Sequence, residues 1–179
     1  MKMYVHRERN LIYLAHPRTA STATAQFLKT RGFESLHGHH ARLSISVSSA
    51  LENRSKWKAF TVVRNHLDTI VSWAASYLET SKLSLGKLDM KQLDYIDATC
   101  DYVQPHSLWW MHSQEADVIL RYERLEEGLS EILGEEVRLP FANVSRRRGS
   151  PHWKTYYDSK TEWYVRGRFK EEMQRYGYE

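Results

Sequence analysis

Apolar and polar positions along the chain predict strands that alternate with helices. Residues 11–15 (LIYLA) form a short apolar run between polar neighbours, which is typical of a strand buried on both faces. Residues 33–36 (FESL) and 59–63 (AFTVV) are two further predicted strands, and we expect both to be internal. Residues 117–122 (DVILRY) add a fourth strand.

Three predicted helices follow these strands. Residues 22–31 have helical character and stop at Gly32, a predicted left-handed cap. Residues 67–77 place apolar side chains at three- and four-residue spacing, which gives one buried face. Residues 125–133 end at Gly134, a second residue suited to a left-handed cap.

A fourth helix is predicted at the C-terminal end. Ser159 with Glu162 has the spacing of a capping box, and the helix is expected to run to about Tyr176. Strands that alternate with helices predict an α/β fold with a central, mainly parallel sheet flanked by helices on both faces. We expect one domain over residues 1–179.

Composition narrows the classes of protein that remain. Of the 179 residues, 41% are hydrophobic, which suffices for one sizeable core. No apolar run approaches the roughly 18 to 20 residues of a membrane span, and MKMYVHRERN lacks an apolar signal core, so a cytoplasmic protein is expected. The single cysteine, Cys100, excludes an internal disulfide. A net charge of +4 favours anionic partners.

The loop HPRTAST follows the first predicted strand and leads into a helix. Ligands of parallel α/β sheets bind beyond the carboxyl ends of strands, where a helix N-terminus attracts anions. Small residues at Ala20 and Ser21 let the backbone approach an oxyanion, hydroxyls add hydrogen bonds, and Arg18 adds a charge. A plain Ser/Thr-rich helix cap is the alternative. No glycine lies between Leu11 and Arg31, which disfavours a nucleoside-triphosphate P-loop.

A second anion site is predicted in FTVVRNHLDTIVSWAASY. Arg64 closes the strand at residues 59–63, and Ser72 lies eight residues later in the following helix. Taken singly, Arg64 is also suited to pairing with an acidic neighbour, and Ser72 to bonding back to its own helix backbone.

The two motifs together resemble the sulfotransferases that use 3′-phosphoadenosine 5′-phosphosulfate. Their first loop typically reads Pro-Lys-Thr-Ala-Ser-Thr, and their second reads Arg-Asn-Pro-x-Asp with a serine at this spacing; residues 17–22 and 64–72 match position by position. DVILRYERLEEGL and the C-terminal segment are similar to the carbohydrate branch of that family, so the resemblance extends over most of the chain. Arg18 replaces the usual lysine and His66 the usual proline.

The resemblance implies a fold and a set of roles. The fold would be a P-loop-like three-layer arrangement. The 5′-phosphosulfate would be bound by the first loop and the 3′-phosphate by the second, with these residues assigned in order: Arg18, Thr19, Ala20, Ser21 and Thr22, then Arg64 and Ser72. Since arginine stays protonated, Arg18 would stabilise charge and not donate a proton.

Histidines supply the candidate base. Sulfuryl transfer to a hydroxyl requires removal of the acceptor's proton, for which imidazole is suited at neutral pH. LHGHHARL contains His37, His39 and His40, and a His-Gly-His arrangement is similar to the base region of the uronyl 2-O-sulfotransferase branch. We expect His39 to be the base, with His37 as support or substitute; a surface cluster and a zinc site are the alternatives. His16 is a weaker candidate, with a role in supporting the loop.

The segment SRRRGSPHWKTYY is a secondary candidate. It loosely resembles the Arg-Lys-Gly segment with which cytosolic sulfotransferases bind the 3′-phosphate, which adds Arg147, Arg148 and Gly149 to the predicted nucleotide site. A charge run of this kind is also typical of a solvated face. A glycan acceptor is expected, with candidate lining residues Trp73, Trp109, Trp110 and Arg42.

The predicted activity is in-line transfer of a sulfuryl group to a hydroxyl-bearing acceptor, with the nucleotide sulfate as co-substrate and no metal ion. Two rival classes remain. A nucleotide or phosphometabolite kinase with a degenerate phosphate loop would require magnesium and ATP. A nucleic-acid-binding domain built on the arginine run would bind with a steep salt dependence, and the clustering of the two predicted anion sites disfavours it.

Overall fold

A computed structural model describes residues 2–36, 54–80, 96–101, 113–140 and 152–178. These residues include five strands, five α-helices with defined bounds and three short 3-10 turns, and residues 96–101 and 113–115 are helical as well. The strands are β1 (Lys2–His6), β2 (Leu11–Ala15), β3 (Glu34–Leu36), β4 (Lys58–Val63) and β5 (Val118–Arg121). The helices are α1 (Ser21–Lys29), α2 (His66–Thr80), α3 (Leu125–Leu133), α4 (Ser159–Arg168) and α5 (Lys170–Arg175).

The chain packs as two compact units. The first comprises Met1–Val63 and Leu108–Asn143, and it contains the whole described sheet with α1 and α3. The second comprises Arg64–Ser107 and Val144–Glu179, and it contains α2, α4 and α5. The chain passes from the first unit to the second directly after β4.

The sheet of the first unit has the strand order β3-β1-β2-β4-β5. β2 pairs with β4 and β4 with β5 in parallel, whereas β1 is antiparallel to both β2 and β3. The α/β class is therefore confirmed, but the sheet is mixed and not mainly parallel. β3 is an edge strand of the described sheet, so the expectation of an internal strand at residues 33–36 was wrong.

β1 accounts for this difference, and this strand was not predicted from the sequence. Its apolar residues Met3, Tyr4 and Val5 are buried, and a turn through Asn10, which has a positive φ of 52°, returns the chain as β2. The polar residues that directly follow it (RERN, residues 7–10) are typical of a surface segment. Because only three successive residues carry the apolar signal, its strand character depends on pairing with β2.

Alternating side chains bury both faces of β2, as predicted. On one face the sheet packs against α1 and α3, and the shared core comprises Tyr4, Leu11, Tyr13, Phe60, Val62 and Leu120 from strands with Ala25, Phe27, Leu28, Leu125, Leu129 and Leu133 from helices. The other face buries Met3, Val5, Ile12, Leu14 and Ala59 with Trp57. The predicted caps are also confirmed, since Gly32 and Gly134 both have positive φ.

The C-terminal helix of the second unit differs from its prediction in two respects. Its N-cap is Asp158, which accepts from the backbone N–H of Thr161 at 2.8 Å and forms the capping box with that residue, so the Ser159–Glu162 box was wrong. The helix is also broken at Phe169, which is 2% exposed and stacks on His66. The backbone of Phe169, with φ −110° and ψ 21°, departs from helical geometry and separates α4 from α5.

Candidate functional site

The loop at residues 16–20 follows β2, at the point where successive connections of the sheet run to opposite sides. β2 and β4 are parallel neighbours, so their carboxyl ends share one edge of the sheet. From β2 the chain continues to β3 on one side of the sheet, and from β4 it continues to β5 on the other. In open α/β sheets this arrangement marks the edge where ligands bind.

The backbone of this loop is strained. Arg18 has φ 64° and Ala20 has φ 58°, a left-handed conformation that non-glycine residues rarely adopt. The cost is about 1 to 2 kcal/mol for each such residue, because the side chain crowds the following carbonyl oxygen. Left-handed residues in a turn direct successive N–H groups to one side, which is the geometry of an anion-binding nest. Strain of this kind is retained at functional sites when the surrounding structure fixes it.

Buried hydrogen bonds within residues 16–19 stabilise the loop. The hydroxyl of Thr19 donates to the carbonyl of His16 at 2.9 Å, and both residues are at least 99% buried. The Nδ1 atom of His16 lies 2.9 Å from the carbonyl of Pro17; because that oxygen only accepts, Nδ1 carries the proton. His16 therefore supports the loop, as expected. The hydroxyl of Thr19 supports it too, through its hydrogen bond to the carbonyl of His16.

A buried tyrosine lies in the strand that precedes the loop. Tyr13 is fully buried in β2, and this burial raises the pKa of its phenol despite the opposing effect of the Thr24 and Thr19 hydroxyls. The phenol therefore stays neutral at physiological pH.

The N-terminus of α1 has no side-chain cap. Its N-cap residue is Ala20, whose methyl group accepts no hydrogen bond, and only the Ala20 carbonyl enters the helix by accepting from the N–H of Thr24 at 3.0 Å. Ser21 is half-buried and Thr22 is exposed at the first turn. Predicted residues 18–22 thus form one continuous turn between β2 and α1.

The N-terminus of α2, in the second unit, is capped by the side chain of the residue before the helix. Asn65 accepts from the backbone N–H of Leu67 at 2.9 Å, and its carbonyl accepts from the N–H of Thr69. Arg64 forms an ion pair with Asp68: its Nε and Nη2 atoms each lie 2.6 Å from Oδ2, and the two side chains are 6% and 10% exposed. The acidic neighbour considered for Arg64 is therefore present and fixes one edge of its guanidinium.

Two further residues of this unit relate to the predicted second motif. Ser72 lies in α2 and is half-buried. His66, at the position of the family's proline, is the first residue of α2 and is 4% exposed. Its Nε2 lies 3.3 Å from a carboxylate oxygen of Glu172, and its ring stacks on Phe169 at 5.0 Å. Histidine here joins α2 to the C-terminal helices, which a proline would not do.

Asp68 and Asn65 are site residues that the sequence analysis did not single out. Their signals were present: an acidic residue four positions after an arginine favours an ion pair on a helix, and asparagine before a helix favours a cap. The histidines and arginines assigned to the base and to the C-terminal nucleotide contact, together with three acceptor candidates, lie outside the described residues: His37, His39, His40, Arg147, Arg148, Gly149, Trp109, Trp110 and Arg42. Trp73 is described and is half-buried in α2.

Two properties of the described residues bear on cofactors and membranes. Within residues 2–36, 54–80, 96–101, 113–140 and 152–178, no group of three or more His, Cys, Asp or Glu side chains is arranged to hold a metal ion. None of the helices in the same ranges has the length and apolar character to cross a membrane.

No protein-family model, curated protein or solved structure matches this chain.

Proposed function

We propose that this chain is a sulfotransferase with a P-loop-like fold, which transfers a sulfuryl group from 3′-phosphoadenosine 5′-phosphosulfate to a hydroxyl group, with a glycan as the acceptor. The observation that carries the proposal is the strained turn at residues 18–22. It combines two left-handed non-glycine residues with an N-terminus of α1 that lacks a side-chain cap, at the edge of the sheet where the strand order reverses.

The turn would bind the 5′-phosphosulfate. Backbone N–H groups of a nest and of a helix N-terminus donate to an oxyanion without the mobility of long side chains. Arg18 adds a permanent positive charge to this turn, and the hydroxyls of Ser21 and Thr22 add donors at the first turn of α1. A nucleotide sulfate carries its negative charge on small tetrahedral sulfate and phosphate groups. The N–H groups, hydroxyls and guanidinium that bind these groups would therefore also stabilise their charge.

Arg64 and Ser72 would bind the 3′-phosphate, with Arg147, Arg148 and Gly149 as further contacts. The ion pair with Asp68 holds the guanidinium of Arg64 in one orientation, which lowers the entropy lost when it binds a phosphate. A fixed arginine would therefore select nucleotides that carry a 3′-phosphate over those that do not.

The reaction would proceed in line. The acceptor oxygen forms a bond to sulfur while the bond between sulfur and the bridging phosphate oxygen breaks, giving a sulfate ester and adenosine 3′,5′-bisphosphate. His39, or His37 in its place, would take the acceptor's proton, and Arg18 would stabilise charge on the leaving phosphate. The scheme needs no metal ion.

Calorimetry with adenosine 3′,5′-bisphosphate tests the proposal. Arg18→Gly removes the charge but accepts the left-handed backbone, so the variant should fold; Asn10→Gly, at φ 52° in the turn between β1 and β2, is the matched control. We expect Arg18→Gly to weaken binding about 10- to 100-fold, the loss of one charge-assisted hydrogen bond, and the control to bind as wild type does. Binding of ATP with magnesium but not of the bisphosphate would favour a kinase and overturn the proposal.

Arg64→Lys tests the assignment of the 3′-phosphate separately. Lysine keeps the charge that pairs with Asp68 but loses the planar fork. The variant should lose affinity for adenosine 3′,5′-bisphosphate and keep its affinity for adenosine 5′-monophosphate, whereas the control Arg166→Lys should change neither. Equal losses for both nucleotides would contradict the role of Arg64. Transfer of labelled sulfate to a glycan, abolished by His39→Ala with bisphosphate binding retained, would test the base.

A further inference from the structure

Trp163 is the most exposed large hydrophobic residue that the structure describes. It lies in α4 and is 76% exposed, although an indole normally gains free energy from burial. The buried face of α4 and α5 runs through Thr161, Val165, Phe169 and Met173, and Trp163 lies on the other side. The second unit therefore carries an indole on its surface that its own core does not use.

A glycine one turn further leaves this indole open. Side chains on a helix lean toward its N-terminus, so a side chain at position 167 would lie over Trp163. Gly167 has no such side chain, and a Cβ added there would meet no atom within 4 Å. Neither its backbone conformation nor its packing requires glycine, although glycine inside a helix costs about 1 kcal/mol relative to alanine.

The contrast with Gly128 shows that this is a particular feature. In α3, a Cβ at Gly128 would lie 2.7 Å from the Cδ2 atom of Leu120, so packing against β5 explains that glycine. No comparable contact explains Gly167. What Gly167 provides is a helix position one turn from Trp163 that carries no side chain.

Two lysines flank the open indole. Lys160 lies three positions before Trp163 and Lys170 three positions after Gly167; both are exposed. Residues three or four apart on a helix are surface neighbours, so Lys160, Trp163 and Gly167 lie side by side on α4. Lys170 is the first residue of α5, directly after the break at Phe169, and we call these four residues the stripe. On α4, Arg166 pairs with Glu162 at 2.8 Å. Exposed Glu171 directly follows Lys170, so the two lysines and this carboxylate leave a net charge of +1 along the stripe.

We propose that this stripe is a binding surface for an acidic oligosaccharide. The C–H face of one sugar ring would stack on the electron-rich face of the Trp163 indole, and carboxylates on adjoining sugars would pair with Lys160 and Lys170. The inference uses residues of α4 and α5 alone and stands independently of the proposed nucleotide site. If the proposed function is also correct, the surface holds part of a glycan acceptor.

The size of the apolar surface favours a sugar over other anionic partners. Among the described residues, the other exposed large hydrophobic is Ile119, which belongs to the other unit, so Trp163 offers one ring and no apolar patch. A membrane-binding helix needs a continuous apolar face. Single-stranded nucleic acid is bound by successive aromatic side chains on which successive bases stack. One ring between two cations matches one sugar between two uronates.

The test is calorimetric binding of an unsulfated chondroitin tetrasaccharide, which alternates uronate and amino sugar, with neutral chitotetraose as the comparison ligand. Trp163→Ala should weaken binding of the acidic tetrasaccharide about tenfold, the loss of one aromatic stacking contact. Gly167→Leu should weaken it similarly by covering the indole, and because the site is open this variant should fold normally. Lys160→Gln with Lys170→Gln should weaken binding and reduce its dependence on salt.

Arg175→Gln removes an exposed cation of α5 outside the stripe and serves as the control, with binding unchanged. Wild-type affinity in Trp163→Ala and Gly167→Leu, or equal affinity for chitotetraose, would overturn the proposal. Tighter binding of an eight-residue oligothymidylate with the same dependence on Trp163 would assign the surface to nucleic acid instead. Binding of adenosine 3′,5′-bisphosphate should be unaffected in every one of these variants, so failure of the nucleotide site remains a separate result.

Discussion

The helices α1 and α2 both follow a strand of the parallel part of the sheet, but their N-termini are built differently. α2 is closed by the side chain of Asn65 and by the buried pair of Arg64 with Asp68. α1 begins at Ala20, which is left-handed and has no side-chain cap. The first helix start has a side-chain cap, and the second has none.

The difference indicates which helix start serves stability. A side-chain cap contributes about 1 kcal/mol, whereas left-handed non-glycine residues cost a similar amount. Elsewhere among the described residues, positive φ occurs at Gly32, Gly134 and Gly177, where it costs little, and at Asn10, a residue type that tolerates it. Arg18 and Ala20 are therefore exceptions in this molecule, and both lie in the loop that we assign to the phosphosulfate.

The largest expected effect is at the closed helix start. Asp68→Ala leaves the guanidinium of Arg64 buried without its carboxylate and should lower the free energy of unfolding by about 3 to 5 kcal/mol. Urea denaturation followed by circular dichroism measures the loss. A loss under 1 kcal/mol would mean that this pair contributes little to α2 and would weaken the contrast with α1.

The cap itself gives a smaller effect. Asn65→Ala removes the acceptor for the N–H of Leu67 and should cost about 1 kcal/mol in the same assay. Asn65→Asp keeps an acceptor oxygen at this position and should restore most of the stability. Equal instability in both variants would show that the amide acts through something other than the cap.

Relief of strain should act in the opposite direction at α1. Ala20→Gly should raise the free energy of unfolding by about 1 kcal/mol, because glycine adopts the left-handed conformation without steric cost. Ala23→Gly, inside the same helix, is the matched control and should destabilise by a similar amount. If Ala20→Gly also destabilises, the left-handed backbone at this position is not strained.

The smallest effect is expected at an exposed helical ion pair. Arg166 and Glu162 have the same spacing as Arg64 and Asp68, but their side chains are 33% and 30% exposed. Glu162→Gln should therefore cost about 0.5 kcal/mol or less. A cost close to that of Asp68→Ala would show that burial does not distinguish the two pairs.

The parts of the fold that local signals determine were predictable from the sequence. Leu11–Ala15, Leu125–Leu133 and the glycine at position 134 carry strong apolar periodicity or a specific backbone requirement, and the structure confirms them. The order of the strands was not predictable. β1 has three apolar residues among charged ones and becomes a strand by pairing, and its antiparallel insertion places β3 at an edge.

At the candidate site, the residues of the turn could be identified from the sequence, but their backbone and side-chain conformations could not. Position 20 carries alanine, which gives no signal for a positive φ, and a glycine there would have given one. The hydroxyl of Thr19 was expected to face a ligand and instead donates to His16, because its orientation depends on the packing around a buried histidine. The capping box was predicted at Ser159 but is formed by Asp158 for a related reason. Both residue types cap helices, and tertiary contacts select between them.

The most direct test of the central claim is an amide ¹H–¹⁵N spectrum of the full chain during titration with adenosine 3′,5′-bisphosphate. If the turn between β2 and α1 binds the 5′-phosphate, the amide signals of residues 18–22 should shift together and saturate at one stoichiometric site. Saturable binding that leaves those five signals unmoved would contradict the assignment of the turn, and the sulfotransferase proposal with it.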